Sequence, residues 1–237
     1  MVLLGILLQP RVRRVRATLR GRPAGRASHD GEDAKGVGSS FVHHHHRTTD
    51  SARSGIPYIS VREGIYTDAF PVFIFWYPDT HTVYLTADGP VAFSSRAELG
   101  EATARLMLRD PETLSGYLRD NIALLTAEKT YTLSDVVSAV RRATGTEIRV
   151  QNVSRETYPD TLAAEDAKPG HGGKSRAFFE YWVTIVDGIA QGEATTTSPL
   201  MRELLGREPR DAMGHVEELV REGMGKGGYT WHQNYVR

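Results

Sequence analysis

The feature that most constrains this chain is a change of character between Ser54 and Ile56. Residues 21–54 are rich in Gly, Ser, Arg and His and carry no sustained apolar period, which is the composition of loop or disorder. From Ile56 onward, short apolar runs alternate with segments whose apolar residues recur at helical spacing. Strands that alternate with helices over such a span specify an α/β fold with a mostly parallel sheet.

The totals narrow the function classes. The chain has 237 residues, 40% of them hydrophobic and 24% charged, as in a globular protein. Its formal net charge is zero, so neither nucleic acid nor an anionic membrane is an expected partner. There are no cysteines, which excludes disulfides, thiolate nucleophiles and cysteine-ligated metal and fits a reducing, cytoplasmic setting. Met1 to Leu8 is apolar but too short to span a bilayer. The basic residues Arg11, Arg13, Arg14 and Arg16 follow that run, whereas a secretory signal needs them in front. The alternatives are an Arg-rich transit peptide and a disordered leader; the expectation for residues 1–45 is the leader, with one partial domain over 46–237.

Within the domain, Ile56–Val61 reads as a strand and Arg62–Tyr66 as its end turning into a loop. An aromatic-dense block runs from Asp68 to Tyr77 and stops at Pro78-Asp79-Thr80. Val83–Leu85 and Val91–Phe93 flank Asp88-Gly89-Pro90 and read as two short strands around a turn. Ser95, with Glu98 three residues on, has the capping-box signature for a helix carrying Leu99, Ala102, Thr103, Leu106 and Met107 on one face. Asn121–Thr126 has a buried-strand pattern. A helix starts at Thr132 or Ser134 and stops at Gly145. Glu147–Val153 reads as a strand, and Ser154 begins a helix with Tyr158. Gly170–Gly173 reads as a flexible hinge, Ala177–Ile189 as a buried helix, and Leu200–Leu205 and Ala212–Val220 as two amphipathic ones.

Candidate sites are few. Four adjacent imidazoles, His43–His46, cannot all face one ion on a regular element, and no metal site is expected. Gly170-His-Gly-Gly-Lys174 lacks phosphate-loop spacing and reads as a mobile loop. Glu180, Asp187 and Glu193 suit a solvated helix face better than acid/base work. The strongest local candidate is Arg62-Glu63-Gly64-Ile65-Tyr66, because ligands of doubly wound sheets bind beyond the carboxyl ends of strands. There Tyr66 can orient a carbonyl, or the segment can be structural, with Tyr66 packed and Arg62 and Glu63 paired.

Ser54-Gly-Ile-Pro-Tyr-Ile-Ser-Val-Arg-Glu-Gly-Ile-Tyr66 resembles a characteristic segment of the NmrA-like atypical short-chain dehydrogenase/reductases. The resemblance continues through Asp88–Phe93, Arg96–Ala102, Asn121–Thr126, Tyr131–Asp135, Thr144–Tyr158 and Leu204–Pro209. It implies the C-terminal part of a Rossmann-like parallel sheet plus a small, mostly helical substrate domain. It also implies NADP (or NAD) as cofactor and a small aromatic or quinone-like substrate. On that reading Arg62, Glu63 and Gly64 are expected near the cofactor and Tyr66 as catalytic, with Phe70, Phe73, Trp76, Phe178 and Trp182 around the substrate; core packing explains those aromatics at least as well. Trp76-Tyr77-Pro78 and Gly227–Tyr235 are most similar to fungal oxidoreductases of secondary-metabolite, mycotoxin-type pathways. The implied alternatives are an NADP-sensing regulator without turnover and an inactive family member. The family's Gly-x-x-Gly-x-x-Gly loop is missing before Ser54, so the join to foreign sequence is expected near residues 40–50, from a truncated or mis-spliced reading of a longer gene.

Overall fold

The computed structural model describes the strand Val2–Ile6 and residues 58–224 and 226–229. The chain divides into two compact units, 1–4 with 61–237, and 5–60, and the second lies almost wholly outside the described residues. The His43–His46 run and most of the expected leader are outside them too.

The described strands are β1 (Val2–Ile6), β2 (Ile59–Glu63), β3 (Ile65–Tyr66), β4 (Thr82–Leu85), β5 (Phe93–Ser94), β6 (Ile122–Leu125) and β7 (Arg149–Asn152). They form one sheet in the order β1-β2-β6 and two parallel pairs, β3 with β5 and β4 with β7. The helices are α1 (Phe70–Ile74), α2 (Arg96–Leu108), α3 (Leu133–Thr144), α4 (Tyr158–Asp166), α5 (Arg176–Ala190), α6 (Leu200–Leu205) and α7 (Ala212–Met224). The architecture is α/β with parallel strand pairing, as expected.

Two cores organise this part of the molecule, and α1 belongs to both. Phe70 and Ile74 join Val83, Leu85, Phe93 and the inner faces of α3 and α7, where Val136, Val137, Val140, Val216 and Val220 are buried. Val72 and Phe75 join Tyr158, Leu162, Phe179 and Trp182 of α4 and α5. Each fully buried aliphatic or aromatic side chain of this kind contributes about 1.5–3 kcal/mol. α1 ends after one turn because Phe75 adopts the left-handed region, at φ 45°. That conformation costs a residue with a Cβ, and burial of the ring between Phe179 and Trp182 offsets it.

α3 starts and stops where the sequence says. Thr132 Oγ1 accepts from Asp135 N at 3.1 Å, Thr132 N donates to the Asp135 carboxylate at 2.8 Å, and Gly145 closes the helix at φ 69°.

Other expectations are corrected. Val83–Leu85 and Val91–Phe93 are not strands of a hairpin. β4 pairs with β7 and β5 with β3, and the Asp88 carboxylate between them accepts from Leu133 N and Ser134 Oγ at the start of α3. Ser95 begins α2 without a side-chain cap; Asp68 accepts from Arg96 N instead, and Glu98 turns to Arg207 and to Arg210 N. Met107 is half exposed rather than packed with Leu106. The loop at Gly170–Gly173 is held on several sides, as described below.

Candidate active site

β2 and β3 are one extended stretch broken at Gly64. Gly64 N donates to Leu125 O of β6 at 2.9 Å, and a Cβ there would meet Ala92 O at 2.9 Å and Thr126 Cγ2 at 3.2 Å. Only glycine lets the three backbones approach this closely.

The break sets Glu63 and Tyr66 side by side. Tyr66 Oη donates to Glu63 Oε2 at 2.7 Å, and Thr103 Oγ1 of α2 lies 3.5 Å from Oε1. Glu63 is 7% exposed, whereas Tyr66 is only half-buried. Partial burial, reinforced by the Glu63 hydrogen bond and charge, pushes the Tyr66 phenol up to about 12, so it is a phenol at neutral pH. Its single proton points at Glu63, so it reaches a substrate only when a stronger base competes for it.

Buried polar atoms without a partner surround this strand end. They are Arg62 Nε, Thr67 Oγ1 and Thr126 Oγ1. Among the described residues these groups are left without a hydrogen-bond partner, at a cost of about 1–3 kcal/mol each.

The expected aromatic wall is divided. Phe70 and Trp76 are fully packed in the first core, while Phe178 and Trp182 belong to the second. Phe73 touches both, at 6.3 Å from Phe93 and 5.6 Å from Trp182. Phe73 and Phe178 keep some exposed surface, and the buried Trp182 Nε1 has no acceptor. The carboxylates on α5 are ion-paired on the surface, Glu180 with Arg176 and Asp187 with Arg155. Among the described residues, no group of three or more His, Asp or Glu is placed to hold a metal. No helix among them is long and apolar enough to cross a membrane.

A second tyrosine–carboxylate pair escaped the sequence reading, because its members are far apart in the chain. Tyr77 Oη donates to Asp166, and it accepts from Gly172 N at 3.0 Å. Lys174 N donates to Asp166 Oδ2 at 2.7 Å, with Nζ at 3.6 Å. The His171 ring stacks on Tyr77 with centroids 3.9 Å apart, and its Nε2 meets Asp79 at 2.8 Å.

The fold is that of NAD(P)-binding Rossmann-like reductases. The structure matches a triphenylmethane reductase from Citrobacter complexed with NADP(H), with a TM-score of 0.55 and 22% identity, over 74% of this chain and 58% of that one. It matches an NADPH-dependent quinone oxidoreductase from Escherichia coli with a TM-score of 0.57 and 18% identity, over 76% and 62%. In sequence the chain is a homologue of an NmrA-like family domain-containing oxidoreductase of Aspergillus flavus. The two are 40% identical over 184 residues, covering 78% of this chain and 56% of the relative. The chain thus spans about half the length of the curated relative that it matches. No protein-family model matches it.

Proposed function

We propose that this chain carries the substrate-side part of an NAD(P)-dependent oxidoreductase, acting on a quinone-like or polyketide-derived carbonyl compound in secondary metabolism of the mycotoxin type. The observation that carries this reading is the Glu63–Tyr66 pair at a strand end where Gly64 brings three backbones together. The 40% identity to an NmrA-like oxidoreductase supports it, and the absence of cysteine suits a cytoplasmic enzyme.

The described residues fit one end of a dinucleotide. No glycine-rich turn among them joins a strand to a helix N-terminus, so none of them cradles a pyrophosphate. Arg62 Nε and Thr126 Oγ1 are buried and unpartnered near Gly64, and they suit the polar amide of a nicotinamide. When bound, the dinucleotide supplies a hydride. Tyr66 then holds the proton for the carbonyl oxygen. On a ketone or aldehyde the nascent alkoxide is a far stronger base than the Glu63 carboxylate and takes the phenolic proton as it forms. On a quinone the reduced oxygen is a phenolate, which Tyr66 stabilises by a hydrogen bond, and in both cases Glu63 keeps the phenol oriented beforehand. Phe73, Phe178 and Trp182 would wall the ring system of the substrate.

Titration of the intact chain with NADPH, followed by turnover with a soluble benzoquinone, tests this. Saturable binding with turnover is expected. Binding without turnover replaces the enzyme with a sensor of the cofactor, and no binding removes the dinucleotide from this chain.

A further inference from the structure

A cleft of about 430 Å³ lies beside the start of α2, lined by Asp68, Glu98, Glu101, Arg207, Arg210 and His215. That volume is in the range of sites for small organic molecules, roughly 300–1,000 Å³. Its charges do not cancel. Arg207 is committed to Glu98 and, at 3.3 Å, to Glu101, which also holds Arg105 at 2.7 Å. Arg210 is committed to Glu218 at 3.0 Å. Asp68 is left over: its Oδ2 accepts from Arg96 N at 2.9 Å, and no ion pair reaches it among the described residues.

His215 is the second signal. It is 6% exposed, and its Nδ1 is buried without a hydrogen-bond partner. Burial holds its pKa below the usual imidazole range, so the ring that lines the cleft is neutral at neutral pH and does not repel a cation there. A carboxylate with no ion pair among the described residues, beside a neutral imidazole in one polar cleft, favours a ligand that is cationic and donates hydrogen bonds. The volume is too large for a bare ion, and no group of three ligating side chains forms there.

We propose that this cleft binds a small organic ammonium ion, with its nitrogen on Asp68 and His215 beside it. The proposal does not rest on the redox reading and needs no cofactor, although Asp68 follows Tyr66 by only two residues. Calorimetric titration of the intact chain with cyclohexylammonium chloride, at neutral pH and fixed ionic strength, tests it. Saturable one-to-one binding is expected, weakened at least about tenfold by Asp68→Asn, the worth of one charge-assisted hydrogen bond. The same titration on Asp120→Asn should match the unsubstituted chain. His215→Gln, expected to weaken binding several-fold, gives an independent reading if Asp68→Asn fails to fold. The proposal is overturned if cyclohexylammonium gives no saturable heat, if sodium cyclohexanecarboxylate binds as tightly, or if folded Asp68→Asn or His215→Gln retains full affinity.

Discussion

Two of the tyrosine–carboxylate pairs among the described residues, Tyr77–Asp166 and Glu63–Tyr66, look alike on paper and differ in their surroundings. Tyr77–Asp166 is closed: Asp166 is 1% exposed and bonded to a phenol, a backbone N–H and a nearby ammonium, while Tyr77 is stacked and doubly bonded. Glu63–Tyr66 is open: the tyrosine is half-buried, the second carboxylate contact is long, and three buried polar atoms nearby have no partner. A satisfied buried network holds a fold together, whereas a partly satisfied one at a strand end has capacity left for a ligand. Gly172 and Lys174, in a stretch that reads as mobile, are therefore structural, and the unfilled valence is at Arg62–Tyr66.

The contrast can be broken by experiment. Asp166→Ala should cost about 2–4 kcal/mol in urea unfolding, because it removes the buried acceptor of the Tyr77 hydroxyl and of Lys174 N; a cost below about 1 kcal/mol would mean that the closed pair does not clamp the loop. Gly64→Ala should cost about 1–3 kcal/mol, since its Cβ must displace the backbone at Ala92. Tyr66→Phe should cost about 1.5–3 kcal/mol, the worth of one hydrogen bond to a charged and buried carboxylate. In a turnover assay, however, it should lower kcat by about a hundredfold if the phenol is the proton donor. Unchanged kcat with unchanged stability would remove Tyr66 from the chemistry.

The smallest effect is in the alkaline limb. The folded pKa of Tyr66 is raised to about 12, so its contribution to stability is complete below the free phenol value of about 10 and is lost as pH rises through about 12. The ultraviolet phenolate difference between the unsubstituted chain and Tyr66→Phe should therefore emerge only near the upper value. Emergence near 10 would show that Glu63 does not hold the phenol.

What was legible in the sequence was local. α3 was legible to within two residues, because Gly145 marks its end and Thr132 or Ser134 its start, and the structure selects Thr132. The Glu63–Tyr66 contact, three residues apart, falls inside the Arg62–Tyr66 segment singled out by its place at a strand end, although the spacing did not show that these two side chains meet. β4 and β5 were misread as a hairpin because parallel pairing leaves no mark at the turn; Asp88, which resembles a turn residue, serves a helix 45 positions downstream. Glu98 was misread as a capping residue because its partners Arg207 and Arg210 lie more than a hundred positions away. The cleft around His215 was invisible on the same grounds, since it gathers Asp68, the start of α2 and the approach to α7.

The five residues of α1 have a thermodynamic consequence. Its two faces are rooted in different cores, so the loss of either core strips one face of this helix and weakens its hold on the other. Each core also holds its own indole, Trp76 in one and Trp182 in the other. Emission from single-tryptophan variants should then report one shared midpoint for both cores, the behaviour of a single cooperative folding unit.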